Sequence, residues 1–312
     1  MTRELESKTM STLSVVVALL LLAQPASCKK PQRPRILGIQ SVAISSSNPA
    51  SAKNFYLKAT APGGRALPEQ DDLWVRCEKT PLEAASLLFA LPSGQALVLA
   101  SGPANSANFL KSVAYLVDDE GKWKKYLKAR GVEFKELGGA CREPGPILSL
   151  VDPEGHQLLF MKSETLPQHG LRIIHAGFIV RDRAAMEQFY KNILGFRPYW
   201  HGGMKDDQTD WVSLQVPVGT EWVEFMVNVR EDADQRLRGI MNHVALGVPD
   251  IRAEREQLVK NGAHLTEEPK LGRDGKWQLN LYDPDQTRIE FMEFTPKEKP
   301  CCSAFTGPHP KP

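Results

Sequence analysis

The chain has 312 residues, 39 Lys and Arg against 37 Asp and Glu, a formal net charge of +2 and 42% hydrophobic residues. With both charge signs interspersed, nothing in it points to a nucleic-acid partner, and the length suits two domains of ordinary size. The five cysteines show no Cys-x-x-Cys spacing. Cys77 and Cys141 could pair in an oxidising compartment.

Taken from its start, the chain opens with an apolar run of eleven residues, Leu13 to Ala23, preceded by Arg3 and Lys8 and followed by small residues. A spanning helix needs about 20 apolar residues, and a core helix would alternate polar and apolar faces. The layout is that of a secretory signal peptide over 1–28, so the expectation is an exported, periplasmic or extracellular protein. Cys28 is open to lipidation, which would anchor the chain to a membrane, although Pro25 stands where a lipoprotein signal usually carries Leu. Residues 29–35 read as a basic, Pro-rich linker.

Beyond the linker the chain repeats itself at an offset of 131–135 residues. Phe55-Tyr56 recurs as Phe189-Tyr190, and LVDPEGHQLLFM (150–161) recurs as LYDPDQTRIEFM (281–292). Two domains of two modules each are expected, over 36–165 and 171–296, with 297–312 a tail whose Pro and Lys content suggests disorder. Asp182 can cap a helix with Met186, Phe189, Tyr190, Ile193 and Leu194 on one face and Gly195 at its end. Asp250 does the same for Ile251, Leu258 and Val259, ending at Gly262.

Four short apolar segments of the second half read as strands, and each carries one residue of metal-ligand type: His175, Glu224, His243 and Glu290. Alternation sets these residues on one face. Ile174, Ala176, Phe178 and Val180 oppose His175, and Val244, Leu246 and Val248 oppose His243. Two imidazoles and two carboxylates converging in a cup would hold one divalent transition ion. Trp222 and Arg288 share that face by register and would line a substrate, as would His201 in the Gly-rich YWHGGMKDD loop. Superposing the repeat puts Gln40, Leu97, Ser112 and Leu159 at the corresponding places of the first half. Two Leu cannot ligate, so that half is expected to hold no metal and to cover an edge or face of the other.

With spacings of 49, 19 and 47 residues and the flanking text HAGFIVRD, FYKNILGF, VEFMV, NHVALGVPD and YDPDQTRIEFME, the second half resembles the vicinal oxygen chelate superfamily, glyoxalase I most closely. The resemblance implies an α+β fold of four βαβββ modules paired into two cup-shaped domains. It also implies one divalent ion (Zn, Ni, Fe or Mn) held by His175, Glu224, His243 and Glu290, with Glu224 or Glu290 moving a proton for a small substrate chelated through neighbouring oxygens. Relatives that use glutathione carry an Arg four residues after the first His, where this chain has Ile179. A lyase or isomerase acting on another substrate is therefore the first expectation. An extradiol-type dioxygenase, using His175, His243 and Glu290 on Fe(II), is the second. Asn280 stands where that family's signature has Tyr, and Leu271, Gly272 and Arg273 fall where it has His. A non-enzymatic small-molecule binder is the third.

Overall fold

The computed structural model describes residues 31–60, 65–66, 87–102, 109–138, 147–162 and 169–312. The expected signal peptide, Cys28, Cys77 and Cys141 lie outside the described residues. No described helix is long and apolar enough to cross a membrane.

The first half runs β1 (Ile36–Ser46), α1 (Pro49–Thr60), β2 (Arg65–Ala66), β3 (Leu87–Ala90), β4 (Ala96–Ser101), β5 (Leu110–Val117), α2 (Glu120–Ala129), β6 (Lys135–Leu137), β7 (Ile147–Val151) and β8 (Gln157–Lys162). The second runs β9 (Arg172–Ile179), α3 (Arg183–Glu187), β10 (Arg197–Gly202), β11 (Trp211–Gln215), β12 (Trp222–Met226), α4 (Gln235–Met241), β13 (His243–Val248), α5 (Ile251–Lys260), β14 (Lys270–Leu271), β15 (Trp277–Tyr282) and β16 (Arg288–Glu293). Each half is two βαβββ modules. The sheets have the same order, β2-β3-β4-β1-β5-β8-β7-β6 and β10-β11-β12-β9-β13-β16-β15-β14. The expected α+β fold of paired, curled sheets is what the chain adopts.

Helix starts follow the capping carboxylates. Asp182 accepts from Ala185 N at 2.9 Å, and Asp250 accepts from Arg252 N and Ala253 N. Beyond α3 the helix widens into a π-helix over Gln188–Leu194, still burying Tyr190 and Leu194, and Gly195 closes it at φ 87°. Val259, expected on the buried face of α5, is exposed. The short α4 had no counterpart among the expected elements; Asp234 caps it through Leu237 N at 2.7 Å.

Helices α1, α2, α3 with its π-helical extension, and α5 lie on the inner faces, where one apolar cluster joins both sheets through Tyr56, Trp123, Tyr190 and Leu258, whereas α4 lines the cup with Ile240 and Met241. The opposite, concave face of the second sheet holds a separate cluster that includes Ile174, Tyr199, Trp200, Trp222 and Met292. Strict alternation would have put Ile174 with Ala176 and Phe178. The β9 pairing instead skips a residue, with Ala245 opposite His175 and Leu246 opposite Ile173, so Ile174 is a bulge that turns to the cup.

The same bulge corrects the alignment of the first half. Tyr115 faces Ile39 and Ala114 faces Ser41, leaving Gln40 as the extra residue, and Leu97 belongs to the cluster shared by the two sheets. Following the hydrogen-bonded rows, the counterparts of the four ligand positions are Ser41, Val98, Ser112 and Leu159. Two aliphatic chains and two hydroxyls are not a divalent-ion donor set.

The ends also differ from expectation. Arg35 bonds Asp118 through its backbone N and its Nε, both at 3.1 Å, so the segment before β1 is tied to the body. Residues 297–312 form an ordered strap across the second sheet. Trp200 Nε1 donates to Cys301 O at 3.2 Å, Thr306 N to Tyr199 O at 2.9 Å, and Gln215 Nε2 to Pro308 O at 2.8 Å. Phe305 sits 4.9 Å from the Tyr199 ring, and Cys301 is disulfide-bonded to Cys302. Composition suggests disorder, but the partial burial of Phe305 and pairing to the backbone of the sheet outweigh it.

Candidate metal centre

Two adjacent rows of the second sheet build the site. In one, Ser213, Glu224, Gly177, His243 and Arg288 are successive neighbours across β11, β12, β9, β13 and β16. In the other, Trp222, His175, Ala245 and Glu290 stand side by side. Rows two residues apart share a face, so all four ligand-type side chains rise into the same cup. The row alternation leaves Gly177 beneath the His243 ring, where an added Cβ would stand 2.0 Å from His243 Cε1. Glycine is required there by the close approach of the imidazole.

The donor atoms converge. His175 Nε2 and His243 Nε2 are 2.9 Å apart. Glu224 Oε2 lies 3.9 Å from the first and 3.5 Å from the second, and Glu290 Oε2 lies 3.6 Å and 3.5 Å from them. Two imidazole nitrogens each about 2.1 Å from one ion, at right angles, would stand about 3 Å apart. The separations fit ligands sharing an ion.

The electrostatics point the same way. Both imidazoles are fully buried. Burial, with Arg288 adding to it, brings His243 down to about 4, which keeps its ring neutral. Burial alone would raise both carboxyls. The bond from His243 outweighs burial at Glu224, and Arg288, with the bond from His175, outweighs it at Glu290, so both are held below the usual range. A neutral His243 ring and two ionised carboxylates, buried together with the His175 ring, complement a divalent cation.

Further contacts orient the donors. Nδ1 of His243 lies 3.4 Å from Met241 O at the end of α4, which leaves Nε2 free to ligate. Ser213 Oγ donates to Glu224 Oε1 at 3.2 Å. His175 has no Nδ1 partner among the described residues; its ring instead stacks on Trp222, with centroids 4.6 Å apart and 28° between planes. Arg288 Nη2 lies 3.8 Å from Glu290 Oε2.

A cavity of about 290 Å³ opens onto this centre, with Glu224, Glu290, Arg288 and Trp222 in its wall. His201 is exposed outside it. A bulge at Tyr199, between the Pro198–Leu214 and Trp200–Ser213 pairs, turns both Tyr199 and Trp200 inward. Ser213, Tyr199, Phe305 and Asp274 join the wall without having been singled out by sequence reasoning. Tyr199 and Trp200 sit beside His201, so the aromatic pair was the signal available there. Asp274 is buried, and burial pushes its carboxyl up to about 6.

Residues 172–291 match the family model of the Glyoxalase/Bleomycin resistance protein/Dioxygenase superfamily. No curated protein sequence matches the chain. Among solved structures, homoprotocatechuate 2,3-dioxygenase from Brevibacterium fuscum, complexed with 3,4-dihydroxyphenylacetate, is similar at a TM-score of 0.59 and 19% identity, over 89% of this chain and 84% of that one. The 2,3-dioxygenase LapB from Pseudomonas sp. KL28 is similar at a TM-score of 0.59 and 13% identity, over 90% and 96% of the two chains. At these identities the likeness is one of fold.

Proposed function

We propose that this chain, which carries a domain of the glyoxalase, bleomycin resistance and dioxygenase superfamily in its C-terminal half, is a metal-dependent lyase or isomerase acting on a small molecule with two neighbouring oxygens. The observation that carries this reading is Glu224, a fourth donor 3.5 Å from His243 Nε2 whose side chain still faces the cavity at 14% exposure. A divalent ion held by His175, Glu224, His243 and Glu290 would supply a Lewis acid for the substrate oxygens. Proton movement then falls to this chain's own carboxylates.

Of the two, Glu224 is the better proton carrier. Glu290 is tied to Arg288 and 3% exposed, whereas Glu224, among the described residues, is held by the Ser213 hydroxyl on one oxygen and by the imidazoles on the other. Its cavity-facing oxygen can accept a proton from a carbon beside the chelated oxygens and return it to the neighbouring carbon. Trp222 and Trp200 exclude water along the apolar side of the cup. Ile179 is buried on the strand of His175, which supports a substrate other than a glutathione adduct.

The test is turnover by metal-loaded protein, with methylglyoxal hemithioacetals and simple α-hydroxycarbonyl compounds as first substrates. Glu224→Gln should lower kcat by about 10²- to 10⁴-fold and abolish solvent-deuterium incorporation at the substrate carbon, with metal still bound. Unchanged deuterium exchange in that variant would defeat the assignment.

A second reading is favoured by the two-sheet architecture shared with the ring-cleaving dioxygenases. There Glu224 would be dispensable, and Fe(II)-loaded protein would consume oxygen with catechols in both the parent and Glu224→Gln. Against it, Asn280 is buried in the cup and donates to Glu267 Oε2 at 3.0 Å, offering no acid or base. Export and lipid anchoring at Cys28 are part of the same proposal; mass spectrometry of the native N-terminus tests them, and an intact Met1 would defeat them.

A further inference from the structure

Lys276 is the one fully buried lysine among the described residues, and its amine has no hydrogen-bond acceptor there. It sits just before β15, outside the cavity wall itself, and its Nζ packs against aromatic side chains that form that wall. The ammonium lies 4.5 Å from the Trp222 ring centre, 5.2 Å from Phe305 and 5.6 Å from Tyr199. All three rings line the cavity that opens onto Glu224 and Glu290. No carboxylate comes within ion-pair distance of it among the described residues. Asp274, two residues away, acts on it only through the field, as do Glu224 and Glu290.

This arrangement needs an explanation. Cation–π contacts with three rings stabilise a buried charge in part, but they satisfy none of its three N–H donors, and an unpaired buried donor is costly. Burial pulls the amine down to about 8, with the three carboxylates holding it there, so it remains mostly protonated at neutral pH. A buried cation behind the aromatic wall of a cavity, with donors left over, is complementary to an anion that arrives with the ligand and parts that wall.

We propose that Lys276 is the cup's anion-recognition residue, its ammonium taking a carboxylate or comparable oxyanion of a ligand whose two neighbouring oxygens reach the four-ligand centre. The inference rests on the chelation reading above and narrows the ligand class to small organic acids with an apolar or aromatic body. Trp222 links the two ends of the ligand: its ring stacks on His175 and also contacts Lys276. Phe305, carried by the strap of residues 297–312, is the ring through which the amine would be uncovered, because the other two belong to β10 and β12.

The experiment uses the full chain loaded with Zn(II), which has no redox chemistry of its own, and three probes sharing one pair of neighbouring hydroxyls: catechol, 3,4-dihydroxybenzamide and 3,4-dihydroxybenzoate. Binding is read by calorimetric titration. The parent should bind the acid about tenfold or more tightly than the amide of the same shape, as a charge-assisted bond requires. Lys276→Met, which keeps the length of the chain and removes the charge, should erase that preference while catechol affinity and zinc content stay at the parent's level. An acid no tighter than the amide in the parent overturns the proposal without recourse to any variant. So does a preference that survives in Lys276→Met, or a variant that loses zinc while keeping the preference, which would assign the amine to balancing Glu224 and Glu290. If catechol itself does not bind the parent, the chelation reading falls and this inference with it. Catechol binding without acid preference removes this inference alone.

Discussion

The Tyr56 hydroxyl donates to Asp283 at 2.7 Å, joining the first helix of one half to the Asp-Pro turn of the other across the whole repeat. Its repeat counterpart, Tyr190, donates to Asp152 at 3.2 Å in the opposite direction. Each half thus anchors the other's turn, and Asp285 adds bonds to the Ser46 hydroxyl at 2.9 Å and to Ser47 N at 2.8 Å. The half without metal ligands therefore fixes the turn that leads into β16 and Glu290.

That relationship predicts a pH-dependent cost for Tyr56→Phe. Burial raises Asp283 to about 6, and the Tyr56 bond opposes the rise. The folded value exceeds the unfolded one of about 3.9, so ionising Asp283 costs stability as pH rises through that window. Removing the hydroxyl withdraws the bond that favours the ionised form. We expect Tyr56→Phe to cost about 1–3 kcal/mol at pH 7.5 and clearly less at pH 5, where the native carboxyl is mostly protonated. Urea unfolding at the two pH values measures this; a penalty equal at both would remove Asp283 ionisation from the account.

Gly177→Ala tests the packing under His243. The new Cβ would fall 2.0 Å from the ring, which cannot retreat without losing its place beside His175. Displacing a ligand in this way should weaken metal binding by about 10- to 100-fold, the usual range for disturbed ligand support. Competition with a chromogenic chelator reads the affinity directly. Parent-like affinity would mean that the ring has room the structure does not give it.

How far the sequence led follows from which rules it obeys. Period-two alternation is legible wherever strands pair without interruption, so Glu224, His243 and Glu290 could be placed on one face from their neighbours alone. His175 was placed correctly although Ile174 beside it was not, because a bulge changes the facing of one residue and restores it at the next. The same device hid Tyr199 and displaced the comparison at Gln40. Lys276 was not legible because a lysine before a strand ordinarily meets solvent, and its neighbour Trp222 lies more than fifty residues away in sequence. The strap was illegible for a related reason: its order comes from Trp200, Tyr199 and Gln215, about a hundred residues away.

Phe305→Ala probes that strap. Phe305 contacts Tyr199 and, at 6.3 Å between centroids, Trp200. Truncating a packed Phe costs about 3–5 kcal/mol in a full core, and less here because the ring is only partly buried. The cleaner readout is tryptophan emission, which should shift to the red as Trp200 and Trp222 meet water, while zinc content holds. Emission identical to the parent's would show that the strap does not cover the cup.

The metal centre makes the firmest prediction. Each of the four donors lies within 3.9 Å of at least one imidazole nitrogen of the centre, and the first half offers only Ser41, Val98, Ser112 and Leu159 at the matching rows. Stoichiometry should therefore approach one ion per chain. His175→Ala, His243→Ala and Glu290→Ala should each lose it, since the remaining buried donors can neither close around an ion nor escape one another's charge. Glu224→Ala is the discriminating variant. Loss of affinity comparable to the other three supports a four-donor centre suited to proton transfer, whereas retained affinity leaves His175, His243 and Glu290 as a three-donor site and turns the choice toward oxygen chemistry. Elemental analysis after dialysis against a weak chelator decides between them. Removing the ion from the parent should also lower the melting temperature, because a ligand that binds only the folded state stabilises it by mass action. A parent melting temperature indifferent to chelation would mean that these four side chains do not hold a metal at all.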